Sequence, residues 1–336
     1  MHETPIHRVR PQVRTFVALI ALSVICLGLV LQFQTPTAAS ANETVVAADQ
    51  TSATDSTVAK NQMTTWKAMV LGAVEGITEY LPISSTGHLI VTQRVLGIGD
   101  TPETKDAADS YAIAIQFGAI LAVLVLYRKR IQSLLRGLFG KDAEGRNLLL
   151  SLVLAFLPAV VIGVAIEKPI KSNLLNVGPI IGAWIVGGLL LLYLAPKIKP
   201  DRAGFAITAI TPKHALIIGG AQVLAMWPGT SRSLVTILAA LAVGTTLAAA
   251  VEFSFLLGLM TLGAATLFET AKDGSAVVDA YGWFTPLVGL VFAFIFAALA
   301  VKWMVTWLQT RSLAIFGWER LTVAAISIGL LAAGTI

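Results

Sequence analysis

Long apolar stretches separated by short polar ones dominate the chain from Trp66 to its C-terminus. Six of them approach the roughly 20 apolar residues that a helix needs to cross the hydrocarbon core of a bilayer. They run over residues 111–127, 148–166, 177–194, 251–268, 283–301 and 321–335. The pattern predicts an all-α protein with several transmembrane helices.

Four further apolar stretches are too short to span a bilayer, and they form two pairs around prolines. The pairs are residues 66–81 with 89–96, around Pro82, and residues 215–226 with 234–243, around Pro228. A short apolar segment, a polar break with proline and a second short apolar segment are typical of a re-entrant helix pair. We call the two interruptions the first break (Pro82) and the second break (Pro228).

Composition supports the membrane class. The 336 residues are 56% hydrophobic and only 13% charged, whereas soluble domains carry about 25% charged residues. The net charge of +5 is best explained by loop orientation. No basic stretch is interleaved with aromatic residues as in a single-strand binder, so we expect no nucleic-acid partner. The single cysteine, Cys26, excludes an intrachain disulfide.

The N-terminal region has the order of a secretory signal peptide. A basic start, an apolar run and small residues up to Ala41 predict cleavage there, with an uncleaved anchor over residues 1–41 as the alternative. Residues 42–62 lack periodicity and predict a disordered linker. A membrane-embedded domain is expected over residues 63–336, and Met63 is an alternative start.

Loop charges predict the orientation of the spans. Residues 128–146 and 197–213 are basic and are expected in the cytoplasm, whereas residues 100–109 and 269–279 are acidic and suit the outer face. These assignments agree only if the first break enters from outside and the second from the cytoplasm. Each half, residues 66–194 and 215–335, would then contain a re-entrant pair and three spans in opposite orientations.

Faint sequence similarity supports this inverted repeat. Gly72-x-x-Glu75 before the first break parallels Gly219-x-x-Gln222 before the second, and both breaks continue from proline into serine and threonine residues. Inverted repeats with broken helices bring both breaks together near the bilayer midplane. We therefore expect one composite site, formed by Glu75, Glu79, Ser85, His88, Ser231 and Arg232.

Two carboxylates precede the first break. Glu75 and Glu79 are four residues apart and share one helix face. In a low dielectric both stay ionised only if a cation compensates them, and either a divalent metal or Arg232 would do so. Oxygen ligands favour Mg²⁺ or Ca²⁺ over zinc. The alternative is that one carboxyl is protonated and hydrogen-bonded between helices.

Hydroxyls and an imidazole follow at the first break. His88 comes three residues after Ser85, and a serine within reach of an imidazole is an activated nucleophile. Ser84 and Thr86 could instead cap the backbone groups freed by the break. A helix-packing role is the alternative for His88.

The second break combines a new helix N-terminus with hydroxyls and one arginine. Gly229, Thr230, Ser231, Arg232 and Ser233 follow Pro228. Backbone N–H groups at a helix N-terminus together with a guanidinium suit a phosphate group. Phosphoryl transfer asks mainly for such positioning and charge neutralisation. Snorkelling of the arginine to the interface is the alternative.

Residues 75–88, EGITEYLPISSTGH, and residues 227–236, WPGTSRSLVT, resemble the two signature motifs of the undecaprenyl-diphosphate phosphatases of the bacitracin-resistance type. The resemblance extends from about Met63 to the C-terminus, and EFSFLL at residues 252–257 resembles a further family stretch. It implies removal of the terminal phosphate of undecaprenyl diphosphate at the outer face of the bacterial cytoplasmic membrane. This reaction recycles the carrier lipid of peptidoglycan synthesis and confers bacitracin resistance. The resemblance also implies a divalent-cation requirement.

The resemblance assigns roles to the residues of the composite site. It implies that Glu75 and Glu79 handle metal or water, Ser85 is the nucleophile and His88 the acid and base. Ser231 and Arg232 would bind the pyrophosphate. The substrate-binding residues would be Ser84, Thr86, Gly229, Thr230, Ser231, Ser233 and Thr236.

Two other functions are compatible with the sequence. Inverted repeats with broken helices are also a transporter architecture, so a lipid flippase or transporter is the alternative to a phosphatase. A proton-coupled channel using Glu75 and Glu79 would leave the hydroxyl cluster unexplained. A phosphoserine and direct attack by water both stay open, as does a homodimer.

Overall fold

The computed structural model describes residues 62–99 and 101–336. The predicted signal peptide or anchor (1–41) and all but the last residue of the predicted linker (42–62) lie outside the described residues. Eleven α-helices lie within those ranges. They are α1 (Thr65–Thr78), α2 (Ser85–Val95), α3 (Pro102–Leu126), α4 (Arg128–Leu138), α5 (Ala143–Asn173), α6 (Val177–Leu194), α7 (Pro212–Gln222), α8 (Arg232–Val243), α9 (Leu247–Tyr281), α10 (Phe284–Leu308) and α11 (Ala314–Ala332).

Six segments of these helices are long and apolar enough to cross a membrane. They are Thr104–Leu126, Ala143–Gly163, Val177–Lys197, Leu247–Ala271, Phe284–Leu308 and Ala314–Ala332. Each coincides with one of the six long stretches that the hydrophobic pattern singles out. The chain is therefore an all-α polytopic membrane protein, as the sequence predicts.

Both predicted breaks interrupt the helices where expected, the first between α1 and α2 and the second between α7 and α8. Ser84 precedes α2 with φ 77°, and Ser231 precedes α8 with φ 72°. Among the described non-glycine residues, only these two have a positive φ. Such a backbone costs about 1–2 kcal/mol per L-residue, so the surroundings must hold it in place.

Close packing against neighbouring helices fixes the positions of α1 and α7, the helices that precede the two breaks. Helix α1 packs along α10, and α7 packs along α5. A Cβ on Gly72 would lie 2.2 Å from the carbonyl oxygen of Gly289, and a Cβ on Gly219 would lie 2.2 Å from that of Ala155. Small residues permit such close backbone approach between membrane helices. The two glycines aligned by the repeat thus have the same packing role, which supports the inverted repeat, although the repeat stays a prediction.

Two loops predicted from their charge contain helix instead. The basic segment 128–146 includes α4, which packs against α5 through Leu134 and Gly137. The acidic segment 269–279 is the end of α9, which continues to Tyr281. Both predictions weighed charge above helical periodicity, and in both segments apolar residues on one face bury against neighbouring helices.

Candidate functional site

Glu79 stands at the centre of the site, at the C-terminal end of α1. Its Oε1 accepts a hydrogen bond from Arg232 Nη2 at 2.9 Å, while its Oε2 accepts bonds from the Ser85 hydroxyl and, at 3.4 Å, from Gln116 Nε2. The Glu79 side chain is 5% exposed and that of Arg232 is 11% exposed. The first and second breaks therefore meet through a shielded ion pair.

Ser85 has a different partner from the one its spacing predicts. Its hydroxyl donates to the Glu79 carboxylate rather than to the His88 imidazole. A carboxylate that accepts the hydrogen of a serine hydroxyl can also take its proton when the oxygen attacks phosphorus. The structure therefore pairs the candidate nucleophile with Glu79.

His88 is held by the carbonyl of Ser84 and by a residue of α11. Its Nδ1 lies 2.7 Å from the Ser84 carbonyl oxygen, and its Nε2 lies 2.8 Å from Glu319 Oε1. Because a carbonyl oxygen only accepts, Nδ1 carries a hydrogen, and a second proton is shared between Nε2 and Glu319. The Trp184 ring packs edge-on against the imidazole, with centroids 5.0 Å apart. His88 and Glu319 thus form a fixed proton-holding pair beside the first break.

Arg232 begins α8 and points away from it. Besides its bond to Glu79, its Nη1 donates to the carbonyl oxygen of Ser254 at 3.2 Å, and its guanidinium lies 5.4 Å from the centroid of the Tyr80 ring. Its Nε is buried without a hydrogen-bond partner among the described residues. A cation with an unused donor at this place suits an anionic oxygen.

The hydroxyl residues of the second break hold the two breaks in position. Ser231 accepts from the Leu234 N–H as a helix cap, and its hydroxyl donates to the Leu81 carbonyl at 3.4 Å. Ser233 donates to the Glu79 carbonyl at 3.5 Å, and Thr236 donates to the carbonyl oxygen of Arg232 at 2.8 Å. All three hydroxyl groups therefore have protein partners, which argues for a positioning role of Ser233 and Thr236.

The remaining predicted binding residues differ in exposure. Ser84 is buried and its side chain makes no cap bond, although its carbonyl oxygen accepts a hydrogen bond from His88 Nδ1. Thr86 is exposed. Gly229 has φ 92°, and its carbonyl oxygen, like that of Thr230, accepts from an arginine of α11. These two residues thus offer no free carbonyl to a ligand.

That arginine, Arg320, is fully buried and joins the two breaks. Its guanidinium donates to the carbonyl oxygens of Pro82 in the first break, Thr230 and Gly229 in the second, and Ala183 in α6, at 3.3, 3.2, 2.7 and 2.9 Å. Breaks in a helix free backbone carbonyls, which at membrane depth need donors. Arg320 supplies them to both breaks at once.

Glu75 lies one turn before Glu79 and is fully buried, and among the described residues its carboxyl group meets no hydrogen-bonding group other than the neighbouring Glu79 carboxyl. Groups of three or more histidine, cysteine or acidic side chains that could hold a metal do not occur among the described residues. Mg²⁺ needs no such group, because one or two carboxylates suffice when phosphate and water supply the other ligands. The buried Glu75 and the neighbouring Glu79 thus fit a hard divalent cation.

Glu319 and Arg320 are site residues that the sequence interpretation missed. The apolar stretch predicted for the last span begins at Leu321, which left both residues in the preceding loop. The structure starts α11 at Ala314, so both charges lie inside a candidate span. Two adjacent charges within an apolar helix are a sign of a functional site, and helical periodicity back to Ala314 would have found them.

Comparison with known proteins gives one consistent family. The family described as bacitracin resistance protein BacA matches residues 68–326. An undecaprenyl-diphosphatase of Sorangium cellulosum is 42% identical over 266 residues, which cover 78% of this chain and 85% of that protein. An undecaprenyl-diphosphatase 1 of Chromobacterium violaceum is 44% identical over 263 residues, covering 78% and 94%.

A third relative, an undecaprenyl-diphosphatase of Acinetobacter baumannii, is 41% identical over 260 residues, covering 77% of this chain and 93% of the relative. The matched region contains both breaks, the first five candidate spans and the sixth span as far as residue 326. The similarity therefore includes the whole site described above. The chain belongs to the bacitracin resistance protein BacA family.

Proposed function

We propose that the protein hydrolyses undecaprenyl diphosphate to undecaprenyl phosphate and inorganic phosphate. The single observation that carries this proposal is the buried contact of Arg232 with Glu79, which in turn accepts the Ser85 hydroxyl. A cation for the phosphate, a nucleophile and a proton acceptor thus lie together at membrane depth. The names of the three relatives supply the substrate.

The geometry favours Ser85 as the attacking group. Its Oγ attacks the terminal phosphorus while its proton passes to Glu79 Oε2. The bond from phosphorus to the bridging oxygen breaks, and undecaprenyl phosphate leaves with the electron pair. Water then attacks the phosphoserine and gives a proton to Glu319 Oε2, the atom of the His88–Glu319 pair that has no hydrogen-bond partner among the described residues. Glu79 returns its proton to Ser85 Oγ as that oxygen leaves phosphorus, and the pair releases its extra proton to water as inorganic phosphate departs.

Charge stabilisation in this scheme comes from the second break. The terminal phosphoryl group spreads negative charge over its outer oxygens in the transition state, and a preorganised cation stabilises that charge. Arg232 is held by Glu79 and Ser254 and keeps its Nε unused. Its proposed role is to receive the phosphoryl oxygens as Ser85 attacks.

A divalent cation, Mg²⁺ or Ca²⁺, is part of the proposal, with Glu75 and Glu79 as its protein ligands. Such an ion would neutralise charge on the diphosphate oxygens. The support is the buried Glu75 carboxyl, which meets no hydrogen-bonding group other than the Glu79 carboxyl among the described residues. Chelation with EDTA should abolish turnover, and added Mg²⁺ or Ca²⁺ should restore it. Full turnover after exhaustive chelation would remove the metal from the scheme.

We also propose that the protein lies in the bacterial cytoplasmic membrane with its site open to the outer face. The support is the distribution of loop charges, with the basic residues 128–146 on the cytoplasmic side. The product, undecaprenyl phosphate, would be returned to cell-wall synthesis. The smaller pool of undecaprenyl diphosphate would confer bacitracin resistance.

A homodimer stays a prediction that cross-linking in native membranes would test.

The experiment compares hydrolysis with transport. Purified protein should release phosphate from undecaprenyl diphosphate in detergent, where no membrane separates two compartments. A pure flippase would move labelled lipid between the leaflets of vesicles and release no phosphate. Transport without phosphate release would overturn the proposed reaction and support the transporter alternative.

A further inference from the structure

A second site candidate lies outside the residues of the proposed reaction. A cavity of about 590 Å³ opens where α3 passes into α4, against α9 and α10. Its lining includes Val125, Arg128, Lys129, Arg130, Glu252 and Lys302. The volume falls in the range of about 300–1,000 Å³ typical of small-molecule sites. We call it the basic cavity.

The basic cavity carries an excess of positive charge. Only one of its four cations is neutralised, since Arg130 Nε lies 2.7 Å from Glu252 Oε1. Within the described part of the chain, the side chains of Arg128, Lys129 and Lys302 form no hydrogen bond or ion pair. Three uncompensated cations around one concave site attract an anion with several oxygens.

The surroundings place the basic cavity at the level of lipid headgroups. Helix α4 exposes Leu135 and Leu138 on one face, and the exposed Phe139, which caps the helix, follows four residues after Leu135. An amphipathic helix with basic and apolar faces lies in the interface of a membrane. Lys302 stands near the end of the candidate span Phe284–Leu308, beside the exposed Trp303, an aromatic residue typical of that interface.

The basic cavity is separate from the proposed reaction site. The ring of Tyr127, in the cavity wall, packs edge-on against Phe255 with the ring centroids 6.0 Å apart. Phe255 in turn packs edge-on against Tyr80, with centroids 5.3 Å apart. The buried Phe255 therefore stands between the cavity and the tyrosine beside Arg232. The cavity also gives Glu252, the first residue of the EFSFLL stretch, a defined role, since it fixes Arg130 in the wall.

We propose that the basic cavity binds an anionic phospholipid of the bilayer, with the lipid phosphate among Arg128, Lys129 and Lys302. Basic pockets between membrane helices on the face of the basic loops suit such headgroups. The exposed Val125 beside Arg128 continues the site toward the acyl region. A lipid satisfies both the cations and this apolar edge, whereas a free anion satisfies only the cations. The proposal does not depend on the reaction proposed above.

The test is native mass spectrometry of purified full-length protein after incubation with dioleoyl phosphatidylglycerol. The variant Arg128→Ala/Lys129→Ala/Lys302→Ala should retain about tenfold less lipid than the wild type. The matched control, Lys141→Ala/Lys199→Ala/Lys213→Ala, removes the same charge from exposed basic positions outside the cavity and should retain lipid as the wild type does. Dioleoyl phosphatidylcholine should bind weakly to all three proteins.

Two results would overturn the proposal. One is equal retention of phosphatidylglycerol by the cavity variant and the control variant. The other is displacement of the lipid by inorganic phosphate at equal concentration, which would assign the cavity to a soluble anion. If the triple variant does not fold, Lys302→Ala alone decides, because this side chain is exposed. A loss of about threefold supports the proposal, and unchanged retention contradicts it.

Discussion

Arg232 and Glu79 form a 2.9 Å ion pair although 153 positions of sequence separate them. Each residue belongs to a different break, and neither break alone carries both a carboxylate and a guanidinium. A buried charge is costly unless it is paired and hydrogen-bonded. The pair therefore explains how one site can be built from two distant segments at membrane depth, and the predictions below follow from it.

Gly258 leaves room for Arg232. A Cβ at this position would lie 1.7 Å from Arg232 Nη1, so Gly258→Ala should push the guanidinium away from Glu79. We expect kcat for phosphate release to fall by about 10²-fold, as for loss of one preorganised transition-state contact. Gly263→Ala in the same helix is the matched control, because a Cβ there meets nothing within 4 Å. Equal activity of the two variants would contradict the assigned role of Arg232.

Glu319 should matter through His88. Glu319→Gln removes the carboxylate that shares a proton with His88 Nε2 at 2.8 Å, so kcat should fall by about 10²-fold while KM changes little. Asp201→Asn, at an exposed position in a connecting loop, is the control. A rise in KM with unchanged kcat would indicate that Glu319 contributes to binding and not to proton transfer.

Arg320 should contribute chiefly to stability. Arg320→Met leaves four carbonyl oxygens without their donor, and one unsatisfied buried polar group already costs about 1–3 kcal/mol. The thermal unfolding midpoint in detergent should therefore fall by several degrees or more. Arg146→Met, at an exposed position of α5, should leave the midpoint nearly unchanged. An unaltered midpoint in the Arg320 variant would refute its role as a donor to both breaks.

Ser85 should carry the phosphoryl group during turnover. Rapid acid quenching with substrate labelled in the terminal phosphate should yield protein-bound label at Ser85, and Ser85→Ala should abolish it. Thr86→Ala is the matched control because Thr86 is the adjacent hydroxyl residue and is exposed. Turnover by Ser85→Ala at the wild-type rate would favour direct attack by water with His88 as the base.

Much of the fold is predictable because it follows from local hydrophobic patterning. Six long apolar stretches predict six spans, and proline after a short apolar segment predicts each break. The helix α4 was missed because the lysines and arginines of residues 128–146 outweighed its periodicity of Leu134, Leu135 and Leu138. Its helical state depends on burial of Leu134 and Gly137 against α5, which is a tertiary effect.

The site was predictable in its members and less so in its pairings. The two motifs and the expected repeat bring Glu79 and Arg232 together. Sequence spacing alone suggested that Ser85 bonds His88, since the two are one helical turn apart. The partners that compete for these side chains, Glu79 and Glu319, are brought in by a helix break and by a distant helix. Such contacts depend on tertiary packing, which local spacing does not record.

A double-mutant cycle on Glu79 and Arg232 tests the central claim most directly. Phosphate release from undecaprenyl diphosphate would be measured for the wild type, Glu79→Gln, Arg232→Ala and the double variant, with Lys213→Ala as an exposed control. Residues that act as a unit are strongly non-additive. We predict that each single variant loses about 10³-fold in kcat and that the double variant loses hardly more. Multiplied losses in the double variant, or near wild-type release by either single variant, would contradict a site in which the two breaks act together.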